Sequence, residues 1–310
     1  MIGGIAAILT KPSEPEWGAT YSKTYAEMLQ IDWREGFLAT LSDLNLRHIR
    51  LPAYWSSIET EPGVYNFEDL DWMMDEALKR DVDITMALGA KVPRWPECYV
   101  PEWIDLEDEV ELEASLSRFI EKVVTRYKDN DALAVWQVEN EPFFPFGVCP
   151  QPNIERVFNE IKYVKSLDPN HPIQRTTSGE QSVWLYNIYG ADILGASLYR
   201  IVFTEPIGYN VFPLSPIYYR IQSAIISPFV EKVVISELQV EPWFSEESAE
   251  MSLEEKYQLF TVEDLYNHMS FARSVGAGEV YFWGVEWWYF LKENGDGRLW
   301  EAAEVLTKQE

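Results

Sequence analysis

The chain has 310 residues, 47% of them hydrophobic and 15% aromatic, enough to bury one large core. Fifty-one Asp and Glu against 25 Lys and Arg give a formal charge of −26. That charge repels phosphate backbones and anionic lipid surfaces, so nucleic acid is a poor partner and a neutral or cationic ligand is the class left.

Two cysteines, Cys98 and Cys149, exclude a disulfide framework and a four-cysteine zinc site. The apolar run over residues 2–9 lacks a basic flank and is far shorter than the roughly 20 residues of a membrane span, so no span is expected. Residues 1–16 read as an N-terminal extension or linker: the stub of a trimmed signal or anchor, or an extra strand. Residues 17–310 read as one domain. Secretion or the cell surface is the expected location, with the cytoplasm as the alternative.

A strand is expected over residues 17–21, then a helix opened by Asp32 with Glu35 at capping-box spacing and an apolar stripe of Phe37, Leu38, Leu41 and Leu44. A strand over 48–51 follows. Asn66 caps a helix through Leu70, Met73, Met74, Ala77 and Leu78. The alternation goes on with a strand over 83–88, a loop rich in Pro and Trp, a helix over 109–127, a strand over 133–138 and a helix over 154–167. Further strands are expected over 173–177, 193–199, 232–236 and 279–285. Helices are expected near 181–189, 217–226, 253–274 and 297–307. Eight strand-and-helix units, with continuous apolar strands such as Lys232-Val233-Val234-Ile235, predict a parallel sheet covered on both faces and closed as a single (β/α)8 TIM barrel. A doubly wound open sheet is the alternative, but no Gly-x-Gly-x-x-Gly follows any strand.

In such a barrel, polar groups where strands end carry the chemistry. Trp136-Gln137-Val138-Glu139-Asn140-Glu141-Pro142 is an apolar strand that stops at an amide flanked by carboxylates, and Glu237 directly follows the seventh strand. Two carboxylates on opposite sides of a barrel mouth can face one glycosidic bond, one protonating the leaving oxygen while the other attacks the ring carbon.

The Asn140-Glu141-Pro142 stretch resembles the Asn-Glu-Pro signature of clan A glycoside hydrolases, which include families 5, 39 and 42. The resemblance implies Glu141 as acid/base, Glu237 as nucleophile, Arg50 holding the nucleophile ionised, Asn140 on the sugar 2-hydroxyl, Tyr199 against the nucleophile, and Trp283 or Trp287 as the floor of the sugar site. The segment from Tyr54 to Phe67 is similar to the corresponding loop of families 39 and 42. Two features depart from family 5: Ser197 stands where that family usually has a histidine, and the third strand ends in Ala87-Leu88-Gly89-Ala90-Lys91.

Trp55, Trp95, Trp103, Trp243, Trp287 and Trp288 fall after strands at one rim, an expected sugar-stacking surface. Glu286 is a further substrate contact, and with Glu180 and Glu241 a rival carboxylate. Cys98 and Cys149 lie in adjacent loops, where a bridge and two free thiols both remain open; a bridge would indicate an oxidising compartment. His48, His171 and His268 show no ligand spacing, so neither metal nor cofactor is expected. The expected activity is retaining hydrolysis of a neutral β-linked oligo- or polysaccharide. An inactive carbohydrate-binding barrel and a transglycosylase are the alternatives.

Overall fold

The computed structural model describes residues 14–204, 208–243 and 251–308, so most of the expected N-terminal extension lies outside the described residues. The chain runs β1 (Glu16–Thr20), α1 (Lys23–Met28), α2 (Trp33–Asp43), β2 (His48–Pro52), α3 (Trp55–Ile58), α4 (Glu68–Leu78), β3 (Asp83–Leu88), α5 (Glu109–Tyr127), β4 (Leu133–Val138) and α6 (Ile154–Leu167). It continues through β5 (Ile173–Thr177), a 3-10 turn (Trp184–Asn187), β6 (Ile193–Leu198), the hairpin β7 (Ile201–Thr204) and β8 (Gly208–Val211), and α7 (Pro216–Ile226). The last elements are β9 (Lys232–Gln239), α8 (Leu253–Gln258), α9 (Val262–Val275), β10 (Glu279–Trp283), α10 (Val285–Glu293) and α11 (Arg298–Thr307).

Eight strands close a barrel in the order β1-β10-β9-β6-β5-β4-β3-β2, all neighbours parallel. This is the expected TIM barrel. Its strands are buried on both faces: all six residues of β6 are buried, as are five of six in β4.

Several local differences have physical causes. The helix expected over 253–274 is two helices. Thr261 starts the second by a capping box, its backbone N–H donating to Asp264 Oδ2 at 2.8 Å, so the chain restarts instead of running through. The last strand stops at Trp283, because Gly284 at φ 131° turns the chain into α10. The segment after β6 folds into the antiparallel β7–β8 hairpin. Most consequential, β9 runs on to Gln239. Ala196 pairs with Ile235 and Ser197 with Glu237, so β9 carries one extra residue at Ser236. Such a bulge re-aims the side chains beside it. Glu237 therefore lies within the strand and not after it.

Close approach at the mouth depends on Gly179. A Cβ there would lie 1.9 Å from the Ser197 carbonyl oxygen at the end of β6. Gly179→Ala is expected to lower the unfolding free energy by at least about 1–3 kcal/mol, because backbone must shift to admit the methyl. Denaturant titration checks this, and an unchanged midpoint would contradict the packing described.

Candidate active site

Bonds between strands that are not neighbours run through the lumen. Arg50 on β2 is fully buried, and its Nη1 and Nη2 donate to Glu237 Oε1 on β9 at 2.9 and 3.0 Å. Nη1 also reaches the Ser236 carbonyl oxygen at 2.9 Å, and Nη2 reaches Asn140 Oδ1 at 2.7 Å. The second oxygen of Glu237 accepts from the Tyr199 hydroxyl at 3.1 Å. Asn140 Oδ1 further accepts from Thr176 Oγ1 at 3.0 Å. The structure thus brings together Arg50, Asn140, Tyr199 and Glu237 as the sequence suggests.

Glu141 joins them on a strained turn: Glu139 and Glu141 both have positive φ, at 60° and 43°. The Glu141 N–H donates to Thr176 Oγ1 at 2.8 Å, while its carboxyl Oε1 is buried without a hydrogen bond. Burial pushes its pKa well above the ordinary carboxylate value, and the negative charges of Glu237 and Glu97 add to the rise. Glu139, the other carboxylate of that turn, has a different task. Its oxygens accept from the Ala90 and Lys91 backbone N–H groups at 2.9 and 2.7 Å, tying the end of β3 to the end of β4.

The loop after β3 supplies groups that sequence reasoning missed. Lys91 Nζ donates to the carbonyl oxygens of Glu141 and Phe144 at 3.2 and 2.9 Å. Cys98 and Cys149 are disulfide-bonded, with Cα atoms 5.2 Å apart, so the loops after β3 and β4 are joined. Within that joint Gly147, at φ 94°, leaves room for Glu97, whose Cβ would lie 2.6 Å from an added methyl. Glu97 is buried and accepts from Asn140 Nδ2 at 3.1 Å. Burial, then the charge of Glu237, pushes its pKa up to about 8, against the pull of Lys91, Asn140 and Arg50. Arg94 is also buried, paired with Glu241 and donating to Glu286 Oε2 at 2.8 Å. Its guanidinium lies over the rings of Tyr25 and Trp283 at 4.0 and 4.2 Å. Glu180, beyond β5, accepts from the Tyr199 N–H at 2.8 Å and the Tyr219 hydroxyl at 2.6 Å, and burial raises its pKa to about 7. No local pattern flags Lys91, Arg94 and Glu97, because a Pro- and Trp-rich loop has no periodicity to say which charges turn inward.

The expected aromatic rim is smaller than the sequence suggested. Trp55 is wholly buried, stacked on Phe119 at 5.6 Å with Nε1 donating to Glu59, and Trp103 packs edge-on against it. Trp287 is buried against Phe290, and Trp288 donates to the Val240 carbonyl oxygen at 2.7 Å. Trp287 and Trp288 belong to α10, whose first turns pack inward. Glu286 on the same helix is fully buried with both oxygens engaged, by the Ser22 N–H at 2.6 Å and by Arg94, so it is no direct sugar contact. Trp283 keeps its place at the end of β10, beneath Arg94. Trp95, 63% exposed, packs edge-on against Phe146, and Trp243 bridges Phe146 and Tyr199, with ring centroids 5.7 and 5.9 Å away. These rings form a wall running up from Glu237.

Among the described residues, donors of metal-binding type converge at Glu16, His48 and Glu279, where β1, β2 and β10 begin. His48 pairs there with Glu16 and Glu279 with Lys232, away from the mouth. Among the same residues no helix is long and apolar enough to cross a membrane.

Residues 53–161 match the model of glycosyl hydrolase family 10. The chain is similar to the beta-galactosidase LacZ of Lactobacillus acidophilus, 25% identical over 173 residues that make up 49% of this chain and 24% of that protein. It is also similar to the mannan endo-1,4-beta-mannosidase F of Aspergillus clavatus, 26% identical over 146 residues, or 42% of this chain and 30% of that one. The matched stretch spans less than a third of either relative. Among solved structures, the exo-beta-1,4-mannosidase Op5Man5 from Opitutaceae bacterium strain TAV5 shares the fold with a TM-score of 0.63 at 14% identity, covering 96% of this chain and 60% of that chain. The matching family model and relatives are glycoside hydrolases, and the closed barrel is the fold shared with the solved structure.

The raised Glu97 pKa has a consequence for stability. Its unfolded value is near 4.5 and its folded value about 8, so its contribution is fully present below pH 4.5 and is lost as pH rises toward 8. Glu97→Gln removes this proton linkage while keeping the shape. Wild type is expected to lose more unfolding free energy between pH 5 and 8 than the variant; parallel pH profiles would contradict a buried, proton-holding Glu97.

Proposed function

We propose that this barrel is a clan A, retaining β-glycoside hydrolase acting by double displacement on a neutral β-linked oligo- or polysaccharide. The observation that carries the reading is the contrast between two carboxylates in one lumen. Glu237 is gripped by Arg50 through one oxygen and by the Tyr199 hydroxyl through the other, which fixes its aim. Glu141 is half-buried with its Oε1 shut off from solvent and unbonded, has no ion pair among the described residues, and its pKa is pushed well above the ordinary value. One is suited to attack a ring carbon and the other to protonate a leaving oxygen.

The first step forms a bond between Glu237 and the anomeric carbon as the glycosidic C–O bond breaks and the Glu141 proton passes to the leaving oxygen. The Glu237 ester is neutral. Its charge is the second-largest cause of the high Glu141 pKa, so esterification lowers that pKa and readies the Glu141 carboxylate as a base. Water then gives its proton to Glu141 and its oxygen to the sugar, freeing Glu237. Asn140 has one N–H left after its bond to Glu97, and that donor suits the sugar 2-hydroxyl. Trp95, Phe146 and Trp243 offer apolar faces to the sugars beyond the cleaved bond. The relatives' names place β-mannosides and β-galactosides first in a substrate screen. The Cys98–Cys149 bridge supports secretion or a cell-surface location.

Product analysis by proton NMR on an aryl β-glycoside that is turned over is expected to show the β anomer first. Glu237→Ala is expected to lower kcat/KM by about 10³-fold or more with the fold intact. An α anomer as first product, or unchanged turnover in Glu237→Ala, would defeat the assignment.

A further inference from the structure

Glu97 is a third carboxylate in the site for which double displacement has no use. Its placement is costly: Arg94 and Glu97, within four residues, both have positive φ, at 86° and 74°. The surroundings enforce that conformation. Lys91 pairs with Cys98 in an isolated bridge, the Val148 N–H donates to the Pro96 carbonyl oxygen at 3.0 Å, and the disulfide closes the next position. Glu97 is 5% exposed. One oxygen accepts from Asn140 Nδ2, and the other, Oε1, has no protein partner among the described residues. A carboxyl oxygen that no protein group occupies, on a residue held at a strained position beside the reacting groups, is an acceptor or donor free for a ligand.

The order of neighbours indicates which part of the ligand. Glu237 faces the anomeric carbon, and Asn140, held by Arg50, adjoins it on the side of the 2-hydroxyl. Glu97 is bonded to Asn140 and to none of Arg50, Tyr199 or Glu237, so it lies one step further around the ring. We infer that Glu97 is a substrate-binding residue that hydrogen-bonds the sugar 3-hydroxyl in the subsite where cleavage occurs. This rests on the glycosidase reading and extends it: the ring accepted there carries a free 3-hydroxyl, which excludes sugars substituted at that position. A protonated Glu97 accepts from Asn140 with one oxygen and donates to the sugar with the other, and glutamine reproduces both bonds.

The test compares the aryl β-glycoside turned over best with its 3-deoxy counterpart on wild type, Glu97→Gln and Glu97→Ala. Glu97→Ala is expected to lose about 10–100-fold in kcat/KM on the parent and less than about threefold on the 3-deoxy sugar, since the contact is already gone there. Glu97→Gln is expected to stay within about tenfold of wild type on the parent. If Glu97→Ala does not fold, Glu97→Met, which fills the space without polar atoms, carries the same comparison. Equal losses on both sugars, with an active wild type, would show that Glu97 only supports the loop and overturn this inference alone. A wild type that cleaves no glycoside in the screen would overturn the glycosidase reading, and the Glu97 contact with it.

Discussion

The interaction on which the site depends is the Arg50 guanidinium, fully buried and reaching across the lumen from β2 to β9. Two of its donors converge on one oxygen of Glu237, one also takes the Ser236 carbonyl at the β9 bulge, and the other holds the side-chain oxygen of Asn140. One cation thus sets the positions of a strand bulge, a carboxylate and an amide. Removing it would leave Glu237 a buried charge short of its main partner, a loss of about 3–5 kcal/mol for such pairs. The bulge at Ser236 and the guanidinium are complementary: the extra residue turns Glu237 into the lumen, and Arg50 compensates the charge it brings.

Around that centre, charge is out of balance. Glu97, Glu141, Glu180, Glu237, Glu241 and Glu286 crowd the mouth, whereas Arg50, Arg94 and Lys91 are the buried cations facing them. Arg50 serves Glu237, and Arg94 is shared by Glu241 and Glu286. Burial together with like charge therefore raises the pKa values of Glu97, Glu141, Glu180 and Glu286 above the ordinary carboxylate value. The net charge of the whole chain says nothing of this, because the effect comes from a few carboxylates removed from water.

The fold was legible wherever a local pattern decided it. Residues 83–88, 109–127, 133–138, 154–167 and 173–177 form the expected elements because apolar runs and stripes are bounded there by caps and turns. Of the site, the residues at strand ends were legible through the Asn140-Glu141-Pro142 stretch and the parallel order of the barrel. Arg94 and Glu97 were not, since what turns them inward is a disulfide, a glycine and a strained loop acting together over some 50 residues of chain. The tryptophans show the same limit. Following a strand places a residue near the rim but does not say whether it starts a helix and packs inward, as Trp55 and Trp287 do, or stays in the loop, as Trp95 does.

In the proposed double displacement, the carboxylate gripped by Arg50 and Tyr199 becomes covalently bonded to sugar. Incubation with a 2-deoxy-2-fluoro β-glycoside of the accepted sugar carrying a dinitrophenyl leaving group, followed by peptide mass spectrometry, reads this directly, because the fluorine slows both steps while the good leaving group keeps formation of the intermediate fast. A stoichiometric adduct on the peptide containing Glu237, and on that residue, is the expected result. Turnover without any adduct, or an adduct on Glu141 or Glu97, would contradict the account.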